Sequence, residues 1–169
     1  MHDTQDPPAT FTYAPVGTIH SPFRDIAGMP IQPNGARGTQ GTIEIFARYR
    51  EGLLDLSGFE RVILIYALHK CVDHNLTVKP FLDTTPRGIF ATRSPKRPNA
   101  IGLSVVRLLA VDMAGGTLTI EDVDVLDGTP LLDLKPYVPV FDAYPGSRCG
   151  WLESVCKNAE TTRSDDRFR

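Results

Sequence analysis

Hydrophobic and polar residues alternate over several short segments, and this pattern predicts β-strands rather than long helices. Residues 41–46 alternate as a half-buried strand does, and residues 61–68 form the β-branched, apolar run typical of a central strand. Further strands are predicted at residues 14–21, 88–92, 101–111, 117–125 and 131–134. A short helix is predicted at residues 48–56, with Leu53, Leu54 and Leu56 on one side and Gly58 at its end.

Turn signals separate these strands and decide the fold class. Gly115-Gly116 predicts a hairpin, and residues 127–130 (DGTP) predict a further turn. The expected fold is mostly β, a compact antiparallel β-barrel with few short helices, and a small sandwich is the nearest alternative. A parallel α/β sheet would need crossover helices, for which the chain has little room. Residues 24–41 carry several prolines and glycines and predict a long functional loop.

The length of 169 residues corresponds to one domain. Residues 1–12 are predicted as a flexible arm, residues 13–155 as the barrel domain, and residues 156–169 as a polar tail that frays. The three cysteines form no Cys-x-x-Cys pair, the first ten residues do not resemble a signal peptide, and the longest apolar run is too short to cross a membrane. We therefore expect a cytoplasmic protein with no membrane association.

Charge is unevenly distributed along the chain. The net charge is −2, so a nucleic acid could be held only by a local basic patch. Residues 84–111 hold five basic residues and no acid, whereas residues 112–134 hold six acids and no base. Two interpretations stay open. The segments could form a site that binds a polyanion beside a cation, or antiparallel strands could simply pair opposite charges. The charge layout alone favours the second interpretation.

Residues 91–104 (ATRSPKRPNAIGLS) contain the basic side chains Arg93, Lys96 and Arg97 beside two prolines. Because proline stiffens a loop and guanidinium groups bind anions through two parallel hydrogen bonds, this segment suits phosphate or carboxylate recognition. The alternative is a solvated surface loop.

Two further segments hold candidate polar residues. In residues 69–74 (HKCVDH), His69, Cys71 and His74 resemble metal ligands, but no second distant pair exists, so no metal is predicted. A histidine at the end of a strand that bonds a ligand, or one that is only structural, is the better interpretation. In residues 123–139, Asp124 and Asp127 bracket a strand end and a turn. No Rossmann, P-loop, hydrolase-elbow or zincin motif is found in the sequence.

The chain resembles the TsaA-like (YaeB-like) family over about residues 13–142. The matching stretches are PVGTIHSPF, PIQP, LLDLSGFERVILIYALH, GIFATRSPKRPNAIGLSVVRLL and DVLDGTPLLDLKPYVP. The resemblance implies an S-adenosylmethionine-dependent methyltransferase that acts on the exocyclic amine of a tRNA adenosine beside the anticodon. It also implies a dimeric barrel that binds the cofactor without a Rossmann fold. Longer members carry an additional C-terminal domain, whereas this sequence ends at Arg169.

The resemblance also implies the cofactor site, residue by residue. Pro33, His69, Arg93 and Asp124 lie in clear motif matches, and contacts at more variable positions are expected through the backbone. The implied cofactor residues are Gln32, Pro33, Asn34, Gly35, His69, Lys70, Arg93, Leu103, Glu121, Asp122, Val123 and Asp124.

The chemistry of methyl transfer adds the substrate side. Because the adenine amine loses a proton, a nearby acceptor would help, and Asp124 and Asp127 are the candidates. The expected nucleotide contacts are Arg97, Asn99, Lys135 and Tyr137. A tRNA partner would meet a basic patch of Arg87, Lys96, Arg97 and Lys135 with Tyr137 as a stacking platform. The alternatives are a cofactor-binding module without catalysis and a small-molecule methyltransferase.

Overall fold

Eight strands and one short α-helix make up the regular structure of residues 10–168, the part of the chain that the computed structural model describes. The strands are β1 (Gly17–His20), β2 (Gln40–Ile45), β3 (Arg61–Ala67), β4 (Thr77–Val78), β5 (Arg87–Gly88), β6 (Ile101–Asp112), β7 (Thr117–Glu121) and β8 (Thr129–Pro136). The helix is α1 (Pro139–Asp142). Short 3-10 turns fill several connections. Residues 1–9, most of the predicted N-terminal arm, lie outside the described range.

Six strands close into an antiparallel barrel in the order β1-β2-β7-β6-β3-β8, which confirms the predicted fold class. The barrel closes where β1 pairs with β8, with Gly17 opposite Leu131. Strands β4 and β5 form a separate two-stranded ribbon. Closure leaves no exposed sheet edge on the barrel.

Alternation along each strand fills the barrel interior. Val62, Leu64 and Tyr66 of β3 are buried while their neighbours are partly exposed. On β6 the inward positions are Gly102, Ser104 and Val106, so two small residues face the interior at one end of the barrel. Tyr66 lies opposite Gly102, where a Cβ atom would approach the tyrosine ring to 2.1 Å. Glycine is therefore required at position 102 for the Tyr66 ring to fit.

The segment predicted as a helix at residues 48–56 forms 3-10 turns at Ala47–Leu53 and Leu56–Gly58 instead. Leu53 and Leu56 join the barrel core, and the second turn ends at Gly58, where the helix was predicted to end. Leu54 does not: its side chain is exposed. An α-helix is interrupted here because Asp55 adopts a left-handed backbone conformation (φ 63°).

Two strand predictions are partly wrong. Of the strand predicted at 88–92, only Gly88 belongs to a strand (β5), and Ile89–Ala91 form a 3-10 turn whose Ile89 is buried. The strand predicted at 117–125 ends at Glu121, because Asp122 adopts a left-handed conformation (φ 69°). Residues 122–124 therefore leave the ladder. Val123 and Val125 remain buried, which explains why their hydrophobic pattern resembles a longer strand.

The C-terminal residues do not fray as predicted. Cys156–Glu160 and Asp166–Phe168 form 3-10 turns, and Arg163 makes an isolated antiparallel bridge with Pro30. Ala159 and Phe168 are buried. The composition of this segment is polar, but these apolar side chains are enough to pack it against the loops at one end of the barrel.

Candidate functional site

A cavity of about 840 Å³ lies at the end of the barrel where β3 finishes and β6 begins. Its walls come from the loop at residues 26–34, the segments that follow β3, the basic loop before β6, and the connection between β7 and β8. The volume is in the range of small-molecule and cofactor pockets, and the lining is more apolar than polar. Loops from distant parts of the sequence therefore meet at one place.

Eight of the predicted site residues line this cavity. They are Gln32, Asn34, His69, Lys70, Arg93, Arg97, Leu103 and Asp124. The other predicted residues are not in its wall: Pro33, Gly35, Asn99, Glu121, Asp122, Val123, Asp127, Lys135 and Tyr137.

The four cofactor residues that the resemblance implied at positions 121–124 lie in different environments. Arg107 of β6 donates to Glu121 across the ladder, and Arg61 forms an ion pair with Asp122 at 3.5 Å. Asp122 also accepts a hydrogen bond from the Gly38 amide at 3.0 Å. Opposite charges thus pair between strands at these positions, as one of the two interpretations of the charge layout predicts. Val123 is fully buried, and only Asp124 reaches the cavity.

Asp124 is the end of a hydrogen-bonded chain that begins inside the barrel. The Ser104 hydroxyl donates to Asp124 Oδ1 at 2.7 Å, and the Tyr66 hydroxyl lies 3.0 Å from Ser104 Oγ. Ser104 and Tyr66 both face the barrel interior. Neither residue was among the site residues predicted from the sequence. The available signal was a serine at an inward position of an otherwise apolar strand, since a buried hydroxyl needs a partner.

Burial controls the acid–base properties of this chain of side chains. It raises the pKa of Asp124 to about 6, although the Ser104 hydrogen bond and the positive charge of Arg93 oppose the shift. Burial also raises the pKa of the Tyr66 phenol, and the nearby Asp124 carboxylate adds to that shift. Tyr66 is therefore a neutral donor, and Asp124 is a carboxylate near neutral pH that accepts a proton more readily than an exposed aspartate.

Arg93 connects two walls of the cavity. Its Nη1 atom donates to Gln32 Oε1 at 2.9 Å, which joins the basic loop to the loop at residues 26–34. The Arg93 side chain is otherwise exposed to the cavity, as its place in the lining shows. Its guanidinium group retains donors that could bind a ligand carboxylate.

Arg97 has a different environment from Arg93. Its Nη1 atom donates to the carbonyl oxygens of Thr92 at 2.8 Å and Ile89 at 3.2 Å. The guanidinium group also lies 5.8 Å from the centre of the Phe90 ring. Much of its bonding capacity thus holds the basic loop in shape.

The other predicted nucleotide contacts do not gather at the cavity. Lys135 pairs with Ile63 and the Tyr137 amide bonds the Arg61 carbonyl, so both lie near the start of β3. The cavity lies beyond the other end of that strand, about four residues and thus roughly 13 Å away. In the proposed basic patch, Arg87 is paired with Asp83 and Lys96 with Asp73.

Asp127 lies outside the cavity, in the turn before β8. Its carboxylate accepts a hydrogen bond from the Ser21 amide at 3.2 Å and lies 3.3 Å from His20 Nδ1 and 3.2 Å from Arg24 Nη1. The Ser21 amide and these neighbours lower the pKa of Asp127. The two candidate proton acceptors are therefore separated: one lines the cavity and the other is already paired.

The cavity has donors that fit S-adenosylmethionine. The Ser94 hydroxyl lines the cavity and is buried without a hydrogen-bond partner among the described residues, so a polar ligand group would satisfy it. Arg93 offers a match for a carboxylate, and the Asp124 carboxylate suits a cationic centre. Within residues 10–168, no group of three or more histidine, cysteine, aspartate or glutamate side chains is arranged to hold a metal ion.

Fold and site together define a small closed-barrel protein with a cofactor-sized pocket at the mouth of the barrel. The chain belongs to the tRNA-methyltransferase O N-terminal domain family, whose pattern matches residues 18–143. This membership confirms the family resemblance seen in the sequence. In the described part of the chain, no helix has the length and apolar character that a membrane span requires.

Similar proteins come from archaea, bacteria and mammals. A Pyrococcus abyssi protein named as a probable S-adenosyl-L-methionine-binding protein is 48% identical over 95% of this chain and 86% of its own length. The mouse tRNA (adenine(37)-N6)-methyltransferase is 36% identical over 76% of this chain but only 31% of its own length. The crystal structure of TrmO from Pseudomonas aeruginosa superposes with a TM-score of 0.71 at 36% identity and covers 85% of this chain and 63% of that one. The chain thus spans most of one relative and less than two thirds of the other two.

Proposed function

We propose that this chain is an S-adenosylmethionine-dependent methyltransferase and that its acceptor is the exocyclic amine of a tRNA adenosine. The observation that carries the proposal is the cavity, where residues implied by the family resemblance meet a buried carboxylate. The family and the names of the mouse and Pyrococcus relatives support the same chemistry.

When bound, S-adenosylmethionine supplies a methyl group already activated on a sulfonium sulfur. The residues of this chain would hold it and exclude water. Arg93, positioned by Gln32, would bind the carboxylate of the cofactor, and Ser94 would donate to a polar group of the cofactor. The apolar part of the lining packs against the remainder.

Asp124 is the proposed proton acceptor. The adenine amine is a weak nucleophile because its lone pair is delocalised into the ring, and it must lose a proton after or during methylation. The Asp124 carboxylate takes that proton, and its raised pKa makes it a better base than an exposed aspartate. Ser104 fixes the carboxylate through Oδ1, and Tyr66 fixes Ser104, so both are positioning residues. Asp127 takes no part, because its oxygens are occupied by Ser21, His20 and Arg24.

Contacts to tRNA form the other part of the proposal. Arg97 and Asn99 belong to the basic loop, and Arg97 lines the cavity. Lys135 and Tyr137 would meet a more distant part of the nucleic acid, because they lie near the start of β3. Since the net charge is −2 and several cations are paired with acids, few phosphate contacts are available. We therefore expect tRNA affinity to fall only moderately with salt.

A homodimer is proposed from the family resemblance. The long loop at residues 24–41 packs against residues 159–164 of the same chain, so this loop does not itself call for a partner. A different feature now supports association: Val140, Phe141 and Tyr144, in and after α1, expose large apolar side chains. Sedimentation at micromolar concentration should give about twice the 18.6 kDa chain mass.

Methyl transfer from a radiolabelled cofactor tests the proposal. The purified chain is incubated with unmodified tRNA, with fully modified tRNA, and with a panel of small-molecule acceptors. Label in a tRNA adenosine supports the proposal. Label only in a small molecule supports the alternative acceptor class, and cofactor binding without any transfer supports a binding module.

A further inference from the structure

The C-terminal strap, which we define as residues 150–168, crosses the cavity outside the part of the chain that the family pattern matches. It consists of three short 3-10 segments, of which the first two are joined by a turn at residues 153–155. Six strap residues line the cavity: Trp151, Leu152, Cys156, Ala159, Ser164 and Phe168. None of the strap residues belongs to the barrel core.

One side of the strap is bonded to the loop at residues 26–37 through Ser164. The Gly28 amide donates to the Ser164 carbonyl at 2.8 Å, and the Ser164 amide donates to the Met29 carbonyl at 2.9 Å. The Ser164 hydroxyl accepts from the Met29 amide at 2.9 Å and contacts the Ile26 carbonyl. Four backbone groups of the loop thus bond this one residue.

The same loop and the strap approach closely at a second place. A Cβ atom on Gly35 would lie 2.9 Å from the Ala159 carbonyl oxygen, so only glycine allows this approach. Arg37 and Glu160 form an ion pair at 3.3 Å beside it. Gly35 was predicted to contact the cofactor, but the structure places it against the strap.

The opposite side of the strap is bonded to the segments that form the other wall. Trp151 Nε1 donates to the Ala91 carbonyl at 2.8 Å, two residues before Arg93. The Phe168 ring packs edge-on against Phe81 with ring centres 4.9 Å apart. Arg167 Nη1 donates to the Pro80 carbonyl at 2.9 Å. The strap therefore joins two walls that the barrel itself does not connect.

We infer that the strap completes the cofactor site within one chain, with Ser164 as a positioning residue that holds Gln32 next to Arg93. This inference rests on the proposed function, because it assigns the strap to the same pocket. If both walls are already fixed before binding, less conformational entropy is lost when the cofactor binds, and its affinity is higher. The strap also contributes apolar surface from Trp151 and Phe168 to the pocket.

Ser164→Ala tests the inference in the full chain. It removes the hydroxyl that bonds Met29 and Ile26, and the loss of these hydrogen bonds should weaken affinity for S-adenosylhomocysteine about five- to tenfold. The KM for S-adenosylmethionine should rise by the same factor. The value of kcat at saturation should stay unchanged, because the hydrogen bonds that link Tyr66, Ser104 and Asp124 are not altered. Hydrogen exchange at the Met29 amide should become faster.

Two other variants complete the design. Ser147→Ala is the matched control, because the Ser147 hydroxyl donates to the Tyr144 carbonyl at 2.8 Å outside the cavity wall, and its loss should change neither affinity nor KM. Trp151→Phe keeps a ring in the cavity wall but removes the hydrogen bond to Ala91, and should weaken binding by a smaller factor. It provides an independent test if Ser164→Ala fails to fold.

The outcomes separate this inference from the proposed function. If the unaltered chain binds neither S-adenosylmethionine nor its demethylated product, the proposed function fails and the inference fails with it. If the unaltered chain binds and both strap variants bind equally well or more tightly, the strap is only a surface segment and the inference alone is overturned.

Discussion

Asp124 and Asp127 are three residues apart, yet they occupy opposite environments. Asp124 faces the cavity, where burial raises its pKa to about 6 and the Ser104 hydroxyl donates to it. Asp127 lies in a turn where an amide, a histidine and an arginine surround it and lower its pKa. The difference shows that a carboxylate becomes a candidate base through its surroundings, and that its position in a motif does not decide its role.

Asp124→Asn should have the largest effect. Asparagine has the same shape but cannot take a proton, so we expect single-turnover methyl transfer at saturating cofactor to fall about 100-fold or more. Asp127→Asn is the matched control and should change the rate less than about twofold, since that side chain lies outside the cavity. Equal losses in the two variants would remove the distinction between the two carboxylates.

Ser104→Ala should have the next largest effect. It removes the donor to Asp124 and leaves the Tyr66 hydroxyl without its partner, so we expect a rate about tenfold lower and a free energy of unfolding about 1–2 kcal/mol smaller. Because the Ser104 hydrogen bond lowers the pKa of Asp124, its loss should move that pKa upward. Tyr66→Phe keeps the bond between Ser104 and Asp124 and should reduce the rate less. A larger loss in Tyr66→Phe would show that Tyr66 acts directly.

Arg93→Lys should weaken cofactor binding about fivefold, because lysine keeps the charge but loses the planar group that binds a carboxylate and Gln32 together. Calorimetry with S-adenosylmethionine measures the change. Arg48→Lys is a suitable control, since Arg48 lies over the Tyr49 ring and not in the cavity. Unchanged affinity in a folded Arg93→Ala variant would place the carboxylate of the cofactor elsewhere.

The smallest expected effect is on stability, and its sign differs between the two carboxylates. Because the pKa of Asp124 is raised in the folded state, the folded chain keeps a proton on Asp124 at pH values where the unfolded chain has lost it. This group therefore lowers the free energy of unfolding as pH rises from 3.8 to about 6. The lowered pKa of Asp127 means the reverse: its contribution is present above its ordinary pKa of 3.8 and is lost as pH falls below it. Urea unfolding of each asparagine variant against the unaltered chain, between pH 3 and 8, measures both slopes. Slopes of the same sign would contradict the assigned environments.

The sequence predicts the barrel well because its signal is local. Alternating residues locate β2, β3 and β6 within one or two residues, and Gly115-Gly116 correctly marks the β6–β7 hairpin. The end of β7 could not be predicted, because nothing in the sequence requires the left-handed backbone at Asp122. The packed strap was missed because its composition is polar and its contacts are with residues 60 to 138 positions away along the sequence.

The candidate site could be predicted only in part. The family resemblance located Gln32, His69, Arg93 and Asp124, all of which line the cavity. It gave no means of finding Ser104 and Tyr66, because the bond between them depends on the register of β3 against β6. Register also explains why Lys135 and Tyr137 lie apart from Arg97, with which they were grouped as nucleotide contacts: alternation shows which face a residue occupies but not how far along the barrel it lies.

The pH dependence of single-turnover methyl transfer to tRNA tests the central claim most directly. With saturating S-adenosylmethionine, the rate of the unaltered chain should rise through a midpoint near pH 6 as Asp124 loses its proton and becomes able to accept another. Ser104→Ala should shift that midpoint upward, and Asp124→Asn should give a low rate without the transition. The same midpoint in the unaltered chain and in Asp124→Asn would show that another group takes the proton and would contradict the account.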